Sequence, residues 1–358
     1  MSSENDGIAR SQAVARGDQG RAGVRWVAGI VNHGSYDDLE GCLAALFRQS
    51  RPPSRIGVYD TGESPVRIAA LRTAYPEIDI EVGPNRGYAG GSNRVVERVL
   101  LGERSADFVL LLNPDVAPDA DYARILIEAM QGAPRVAVAT GKLLRPDRRT
   151  LDSAGIVFPR HRRPRDRGSD QPDRGQFDRA ELVGAASGAA MMLRVAALES
   201  LRVDGELFDE SFFAYHEDTD LCWRARLLGW EILYEPRAVA LHRRGWQRDR
   251  RNEIAIAIRR HSFKNHYLQL VKNETPGDFV RDLPWILGWE VLRLGFVLLR
   301  DRPMWAAYRE AWRRLPEARR KRAILQARAR GLERPGASNR AVANESSGAP
   351  SRSASPWP

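Results

Sequence analysis

Lysine is almost absent from this 358-residue chain: of 56 basic residues, all but Lys142, Lys264, Lys272 and Lys321 are arginine. Against 46 aspartates and glutamates this leaves a formal net charge of +10. Such a charge raises nucleic-acid binding as a reading. No helix-turn-helix, zinc-finger or RNA-binding signature accompanies it, however, and its densest blocks, Arg160 to Arg179 and Arg313 to Arg330, lie apart from the motifs below. Nucleic acid is therefore set aside as a partner. Cysteine is scarce too. Cys42 and Cys222 sit in apolar helical contexts, read as buried thiols and imply no disulfide framework. Long apolar runs are also missing: Arg281, Asp282, Glu290 and Arg293 break up the best stretch, so no transmembrane helix is expected. Residues 1–24 are too polar for a secretory signal, and with residues 331–358 they are expected to be disordered. The expectation is a cytoplasmic chain.

The segment His216-Glu217-Asp218-Thr219-Asp220 places three carboxylates within four residues. A solvated acidic run would be flanked by polar residues. This one follows Phe212-Phe213-Ala214-Tyr215 and precedes Leu221, Trp223, Leu227 and Leu228. Apolar neighbours suit the wall of a cleft, where a carboxylate gains a raised pKa and can act as a base. Asp220, Arg224 and Leu227 fall at helical spacing and Gly229 ends the helix, so the acids sit at a helix start. Capping that helix and offsetting its dipole is the plainer reading of the same residues.

Strands alternate with helices along the chain. Trp26-Val31, Arg55-Tyr59, Ile78-Val82, Phe108-Leu112, Gly188-Leu193 and a segment near Glu231-Tyr234 read as strands; Asp38-Gln49, Pro65-Tyr75, Ser92-Leu101 and Tyr122-Met130 read as helices. That order predicts a three-layer α/β domain with a mostly parallel sheet and helices on both faces. Phe108-Leu112 is continuously apolar, the mark of a buried parallel strand, and runs into Asn113-Pro114-Asp115. An acid just past the carboxyl end of such a strand lies where open α/β sheets bind ligands. Asp60 ends its strand in the same way. Between them, Asn85-Arg86-Gly87-Tyr88-Ala89-Gly90-Gly91-Ser92-Asn93 is a glycine-rich turn leading into a helix. Its spacing is not the dinucleotide fingerprint, and no Gly-Lys-Ser/Thr marks a P-loop. The glycines make either a tight turn or a place for a nucleotide or sugar to come close.

Taken in order, Asn32, Asp60, Asn85-x-Gly87-x-x-Gly90-Gly91-x-Asn93, Leu112-Asn113-Pro114-Asp115, Gly184 to Arg194, Phe208-Asp209-Glu210, Glu217-Asp218-x-Asp220, Gly229-Trp230 to Pro236 and His242 resemble family 2 inverting glycosyltransferases, in particular the bacterial rhamnosyltransferase-like group. The resemblance spans roughly residues 25 to 270 and extends more weakly to about 325. Thr61-Gly62-Glu63-Ser64 follows Asp60 where the family usually has Asn-Gly-Ser, Val31-Asn32-His33 stands for Thr-Tyr-Asn, and Asn113 stands where the metal motif usually has aspartate.

The resemblance implies the GT-A fold, with a catalytic domain over residues 25–272. Asp218 is the expected base that deprotonates an acceptor hydroxyl, with Glu217 orienting it or touching the acceptor. Asn32, Asp60, Asn85, Gly87, Gly90, Gly91, Asn93 and Asn113 are the expected donor-binding residues. Asp115 and His242 are the expected ligands of a divalent cation, Mg²⁺ or Mn²⁺, that neutralises the leaving diphosphate. One base without a covalent sugar intermediate implies inversion. The expected donor is a dTDP- or UDP-sugar, with dTDP-rhamnose favoured. The expected acceptor is a glycan or polyprenyl-linked hydroxyl in cell-envelope polysaccharide synthesis. The contrasting reading is a transferase-like scaffold that binds at a membrane without turnover.

Two arginine-rich stretches remain. His161-Arg162-Arg163-Pro164-Arg165-Asp166-Arg167-Gly168 belongs to a long polar loop that is either a floppy surface segment or an acceptor-side lid. Residues 273–330 read as an amphipathic helical region. From Trp285 onward, Glu290, Arg293 and Arg300 occupy a narrow stripe beside a wide apolar face. Trp305, Tyr308, Trp312 and Leu315 line a second helix that Pro316 is expected to end, before Arg319-Arg320-Lys321-Arg322. Such helices fit the headgroup region of an anionic membrane on its inner face; docking on the catalytic domain or a homodimer contact is the alternative.

Overall fold

The computed structural model describes residues 23–244 and 255–333. Apart from residues 23–24 and 331–333, the two expected disordered tails lie outside the described residues. The strands are β1 (Trp26–Asn32), β2 (Arg55–Asp60), β3 (Asp79–Val82), β4 (Phe108–Leu112), β5 (Val116–Pro118), β6 (Val136–Leu144), β7 (Leu151–Ser153), β8 (Ile156–Val157), β9 (Arg165–Asp166), β10 (Glu181–Leu182), β11 (Ala190–Arg194) and β12 (Glu231–His242). The helices are α1 (Tyr36–Phe47), α2 (Pro65–Ala74), α3 (Gly87–Gly102), α4 (Tyr122–Gln131), α5 (Val195–Leu201), α6 (Glu217–Leu227), α7 (Ile256–Asn273), α8 (Pro276–Arg300) and α9 (Trp305–Glu333).

The main sheet runs β10-β12-β6-β11-β4-β1-β2-β3, with β5 and β7 added beside β12 and β6. β1, β2, β3 and β4 are mutually parallel, as are β6 and β12, and β11 runs antiparallel between β4 and β6. The sheet is mixed and mostly parallel, with helices on both faces. Alternation along β4 shows why its sequence is continuously apolar: Val109 and Leu111 pack with α3 and α6 on one face, Phe108, Leu110 and Leu112 with α1 and α4 on the other. Both faces are dry, so no polar residue is tolerated.

Three features depart from the expectations. β6 was not predicted. It is nine residues long and buried throughout, yet Gly141 and Lys142 dilute its apolar pattern. Lys142 is tolerated because Asp173 (2.8 Å) and Asp178 pair with its ammonium group. The second departure is α3, which starts at Gly87, so the glycine-rich segment forms its first turns instead of preceding them. In the third, α9 continues through Pro316 to Glu333. A helix-interior proline costs about 3 kcal/mol. The helix is held regardless because its second half is anchored on the body: Leu325 is buried in the main core, and the buried Lys321 ammonium pairs with Asp209 at 2.7 Å and Glu206 at 3.0 Å.

The loop around residue 160 is tied down. Arg162 is 1% exposed, with its guanidinium 2.6 Å from Glu274 and 2.8 Å from Asp282. β8 and β9 pair across it, and Thr150 bridges to Pro172. The floppy reading is overturned: buried ion pairs fix this segment against α8.

Candidate active site

The carboxyl ends of β1, β2 and β4, the start of α3, the 187–189 turn and the start of α6 surround a cavity of about 580 Å³. Asn113, Asp115, Asn85, Gly87, Glu217, Asp218 and His242 all line it. Residues more than a hundred positions apart thus converge at the end of the sheet.

Asp218 sits at the first turn of α6, half-buried. The Gly188 N–H donates to its Oδ2 at 2.8 Å and the Thr219 N–H to its Oδ1 at 2.7 Å. These bonds aim the carboxylate at the cavity and favour its ionised form. Burial opposes them and wins, pushing the carboxyl up to about 6. Glu217 is 6% exposed, and burial together with the Asp218 charge pushes its carboxyl well above the usual range. Its Oε2 has no hydrogen-bond partner among the described residues. Asp220 takes no part in the cavity. It is fully buried and bound by Arg224 (3.0 Å), Lys272 (2.8 Å) and Asn273 (2.7 Å), which ties α6 to α7. The plain capping reading therefore fits only part of the acidic run.

The chain leading into α6 is strained. Phe213, Tyr215 and His216 all have φ between 66° and 71°, an unfavourable region for side-chain-bearing residues. Asn265 holds this turn with its Nδ2, which donates to the carbonyls of Phe212, Ala214 and Tyr215 at 2.7–2.8 Å. Burial keeps His216 neutral by pushing its imidazole down to about 3. Its Nδ1 lies 3.1 Å from Gln269.

Across the cavity, Asp115 Oδ1 lies 3.3 Å from His242 Nε2. β5 pairs with the end of β12, setting His242 opposite Val116. Asp152, 2.6 Å from His242 Nδ1, fixes the ring from behind, and Arg244 and Arg145 in turn hold Asp152 at 3.0 and 3.2 Å. Burial alone would lower the His242 pKa, but the two flanking carboxylates raise it to about 9. Burial likewise tends to raise the Asp115 pKa, yet the neighbouring imidazole holds it below the usual carboxylate range. No cluster of three or more His, Cys, Asp or Glu capable of holding a metal occurs among the described residues. The pair still fits a divalent cation that takes its remaining ligands from a diphosphate and water. An oxygen and an imidazole nitrogen 3.3 Å apart match two adjacent ligands each about 2.1 Å from one ion. A carboxylate behind the ligating histidine is the usual supporting contact. Asp152 was not singled out in the sequence because Leu151-Asp152-Ser153 carries no motif.

The other donor-side residues divide. Asn85 and Gly87 line the cavity, whereas Asn32 and Asp60 lie beneath it. Asn32 Nδ2 donates to Asp60 at 2.7 Å, and Asp60 also accepts from Tyr36 (3.2 Å) and the Gly62 N–H (2.7 Å), which locks the ends of β1 and β2. Their neighbours His33 and Thr61 reach the cavity instead. The glycines accommodate close packing within the chain itself. At φ +68°, a Cβ on Gly87 would collide with the Phe213 carbonyl, and one on Gly91 would lie 2.6 Å from Val31 Cγ1. Gly90 would crowd the Arg86 Cβ. Asn93 is a clamp that bonds the Phe208 N–H and carbonyl, both at 2.8 Å. Tyr88 was also missed; its hydroxyl donates to the Gly188 carbonyl at 2.6 Å and braces the turn that holds Asp218.

The family model described as glycosyltransferase-like family 2 matches residues 30–264. An N-acetylglucosaminyl-diphospho-decaprenol L-rhamnosyltransferase of Mycobacterium tuberculosis is 30% identical over 235 residues, covering 57% of this chain and 71% of the relative. The rhamnosyltransferase WbbL of Escherichia coli is 27% identical over 230 residues, covering 60% and 81%. Among solved structures, GalNAc-T7 with UDP, GalNAc and Mn²⁺ superposes with a TM-score of 0.52 at 10% identity, over 70% of this chain and 48% of that one. With this sheet order and these motifs in sequence, the chain belongs to glycosyltransferase family 2 and is a glycosyltransferase of the GT-A fold.

Proposed function

We propose that this enzyme transfers rhamnose from dTDP-rhamnose, with inversion, to a hydroxyl of a glycan or polyprenyl-linked acceptor in cell-envelope polysaccharide synthesis. The observation that carries the reading is one cavity with a raised-pKa carboxylate, Asp218, on one wall and the Asp115–His242 pair on another. The rhamnosyl choice is supported by the two relatives named as rhamnosyltransferases.

Asp218 acts as the base: near neutral pH its carboxylate is ionised yet basic enough to take the acceptor proton as the hydroxyl attacks. Glu217, whose carboxyl is pushed upward by burial and by the Asp218 charge, orients Asp218 or touches the acceptor. Asp115 and His242 would hold a divalent cation, which when bound neutralises charge on the departing diphosphate. Asn113 and Asn85 line the donor side as hydrogen-bonding groups for the ribose or base. With Mn²⁺ or Mg²⁺ present, dTDP-rhamnose should raise the melting temperature more than UDP-sugars do. A protein stabilised by no nucleotide sugar overturns the proposal.

The same enzyme is proposed to lie on an anionic membrane through α8. No helix among the described residues is long and apolar enough to span a bilayer. The polarity of α8 is nevertheless inverted for a docked helix. Its charged stripe faces the body: Asp282 is 1% exposed, Glu290 accepts from Tyr267 at 2.6 Å, and Arg293 lies 3.8 Å over the Phe263 ring. Its apolar side faces out, with Val280, Val291, Leu292 and Leu299 each 69–79% exposed and Trp285 56% exposed. Exposed Arg300, Arg302, Arg309 and Arg313 follow at the end of α8 and beyond it along the chain. Each basic residue near an anionic surface contributes about 1 kcal/mol, and the apolar face adds a part that salt does not screen. Arg319-Arg320-Lys321-Arg322, expected to face lipid, instead bonds largely to the protein itself: Lys321 is buried, Arg320 pairs with Asp204, and Arg322 donates to the Val271 carbonyl. Truncation near Glu274 would therefore uncover the core, which makes surface substitutions the sounder test. The double variant Leu292→Asp, Leu299→Asp should lose binding to anionic liposomes while keeping the parent's melting temperature. A protein that ignores liposomes but forms a dimer broken by this variant would make the face a subunit contact.

A further inference from the structure

A helix ordinarily turns apolar side chains toward the body of a protein, so a face of buried polar ones calls for a reason. α7 has such a face: Lys264, Asn265, Gln269, Lys272 and Asn273 are each 0–2% exposed. Asn265, Gln269 and Asn273 follow one another at four-residue spacing, which sets them side by side along the helix. All five reach a single stretch of chain, residues 209–220, the one that carries Asp218. Its ends are clamped by charge and amide, since Lys272 pairs with Asp209 at 2.6 Å and Asp220 at 2.8 Å, and Asn273 donates to Asp220 at 2.7 Å. Lys264 donates to the Ser211 carbonyl at 2.9 Å.

Between those ends, Asn265 works as a donor and Gln269 as an acceptor. The Asn265 amide reaches the carbonyls of Phe212, Ala214 and Tyr215, which belong to the strained turn. From the opposite side the Ala89 N–H of α3 donates to the Phe213 carbonyl at 3.1 Å. Backbone strain of this kind persists only where neighbours over-determine it, and here two helices do so. Gln269 Oε1 accepts from the Thr219 hydroxyl at 2.9 Å and lies 3.1 Å from His216 Nδ1. His216 and Thr219 bracket Glu217 and Asp218, and the Thr219 N–H is itself one of the two that hold the Asp218 carboxylate. Neither Asn265 nor Gln269 lines the catalytic cavity, so any part they take in the reaction passes through Asp218.

We infer that Asn265 and Gln269 are positioning residues of the transfer: through them α7 holds the strained turn and the start of α6 so that the Asp218 carboxylate meets the attacking hydroxyl at hydrogen-bonding distance. The assignment rests on the reading of Asp218 as the base and adds the part of the fold that keeps the base in place. The dependence is steep, because a reacting group displaced by about 1 Å can lose about 10²-fold in rate.

The test is steady-state kinetics on the full-length protein with dTDP-rhamnose, Mn²⁺ and a polyprenyl-linked glycan as acceptor. Gln269→Leu, close in size but unable to accept, should lower kcat by about 10 to 100-fold and leave KM for the nucleotide sugar unchanged. Gln269→Glu keeps an oxygen in the same place and should recover most of that loss. Asn265→Ala should lose at least as much turnover and also melt at a lower temperature, since three carbonyls lose a donor. In all of these variants turnover should still fall as the pH drops through about 6, because Asp218 is still present. Asp218→Asn, measured beside them, should lack that limb. Three results overturn the assignment while leaving the base reading intact: Gln269→Leu turning over like the parent, Gln269→Glu as impaired as Gln269→Leu, or a rise in the nucleotide-sugar KM that matches the fall in kcat. Retained turnover in Asp218→Asn removes the base reading, and this assignment with it.

Discussion

Replacing Asp218 with asparagine is expected to lower turnover by about 10² to 10⁴-fold while leaving nucleotide-sugar binding unchanged. The substitution keeps the size of the side chain, and its single oxygen keeps one of the two N–H bonds, from Gly188 or from Thr219, that hold the carboxylate in place. It removes the ability to take a proton, together with one of those two bonds. The pH profile carries the same signature. Burial places the Asp218 carboxyl at about 6, so the base is ionised above that pH and protonated below it. Wild-type turnover should therefore fall as the pH drops through 6 and recover above it, and the residual activity of the variant should lack that limb. Retained turnover with the limb intact would move the base to Glu217. Asp220 is not a candidate, because Arg224, Lys272 and Asn273 occupy its oxygens away from the cavity.

The second large effect concerns the cation. Chelation should abolish transfer, and Asp115→Ala should weaken donor diphosphate binding far more than nucleoside binding. Asp152→Asn should lower metal affinity by about 10 to 100-fold without touching the cation, because it removes the carboxylate that orients the His242 ring. The three effects separate direct from supporting roles: titration of Mn²⁺ restores the Asp152 variant at high concentration but not the Asp115 variant. Full activity in chelator would contradict the assignment of Asp115 and His242 together.

Much of the fold could be read from the sequence because its strands are extreme. Phe108–Leu112 is buried on both faces, so its pattern admits one interpretation, and the turn that follows it had to carry Asn113 and Asp115 at the sheet's end. β6 escaped because Thr140, Gly141 and the paired Lys142 interrupt its apolar run between Val136-Ala137-Val138-Ala139 and Leu143-Leu144. The glycine-rich segment was legible as close approach, but not as close approach to what. Gly87 meets Phe213, 126 positions away, and only the fold reveals that contact. Asn32 and Asp60 share this difficulty. Their positions at strand ends were evident, whereas their bond to each other depends on the pairing of β1 with β2. The amphipathic pattern of α8 was visible as well, but which side faced the body was not. Hydrophobic periodicity gives a stripe and no direction, and here partners on the body such as the buried Arg162 and the partly buried Tyr267 draw the charged side inward.

The proposed transfer is a direct displacement at the sugar by an acceptor hydroxyl that Asp218 deprotonates. Proton NMR of the product formed from a nucleotide sugar of known anomeric configuration tests it most directly. The new glycosidic bond is expected to carry the configuration opposite to that of the donor in the first product formed. A product that retains the donor configuration would require two displacements or a front-face reaction, and would contradict the single-base mechanism built on Asp218.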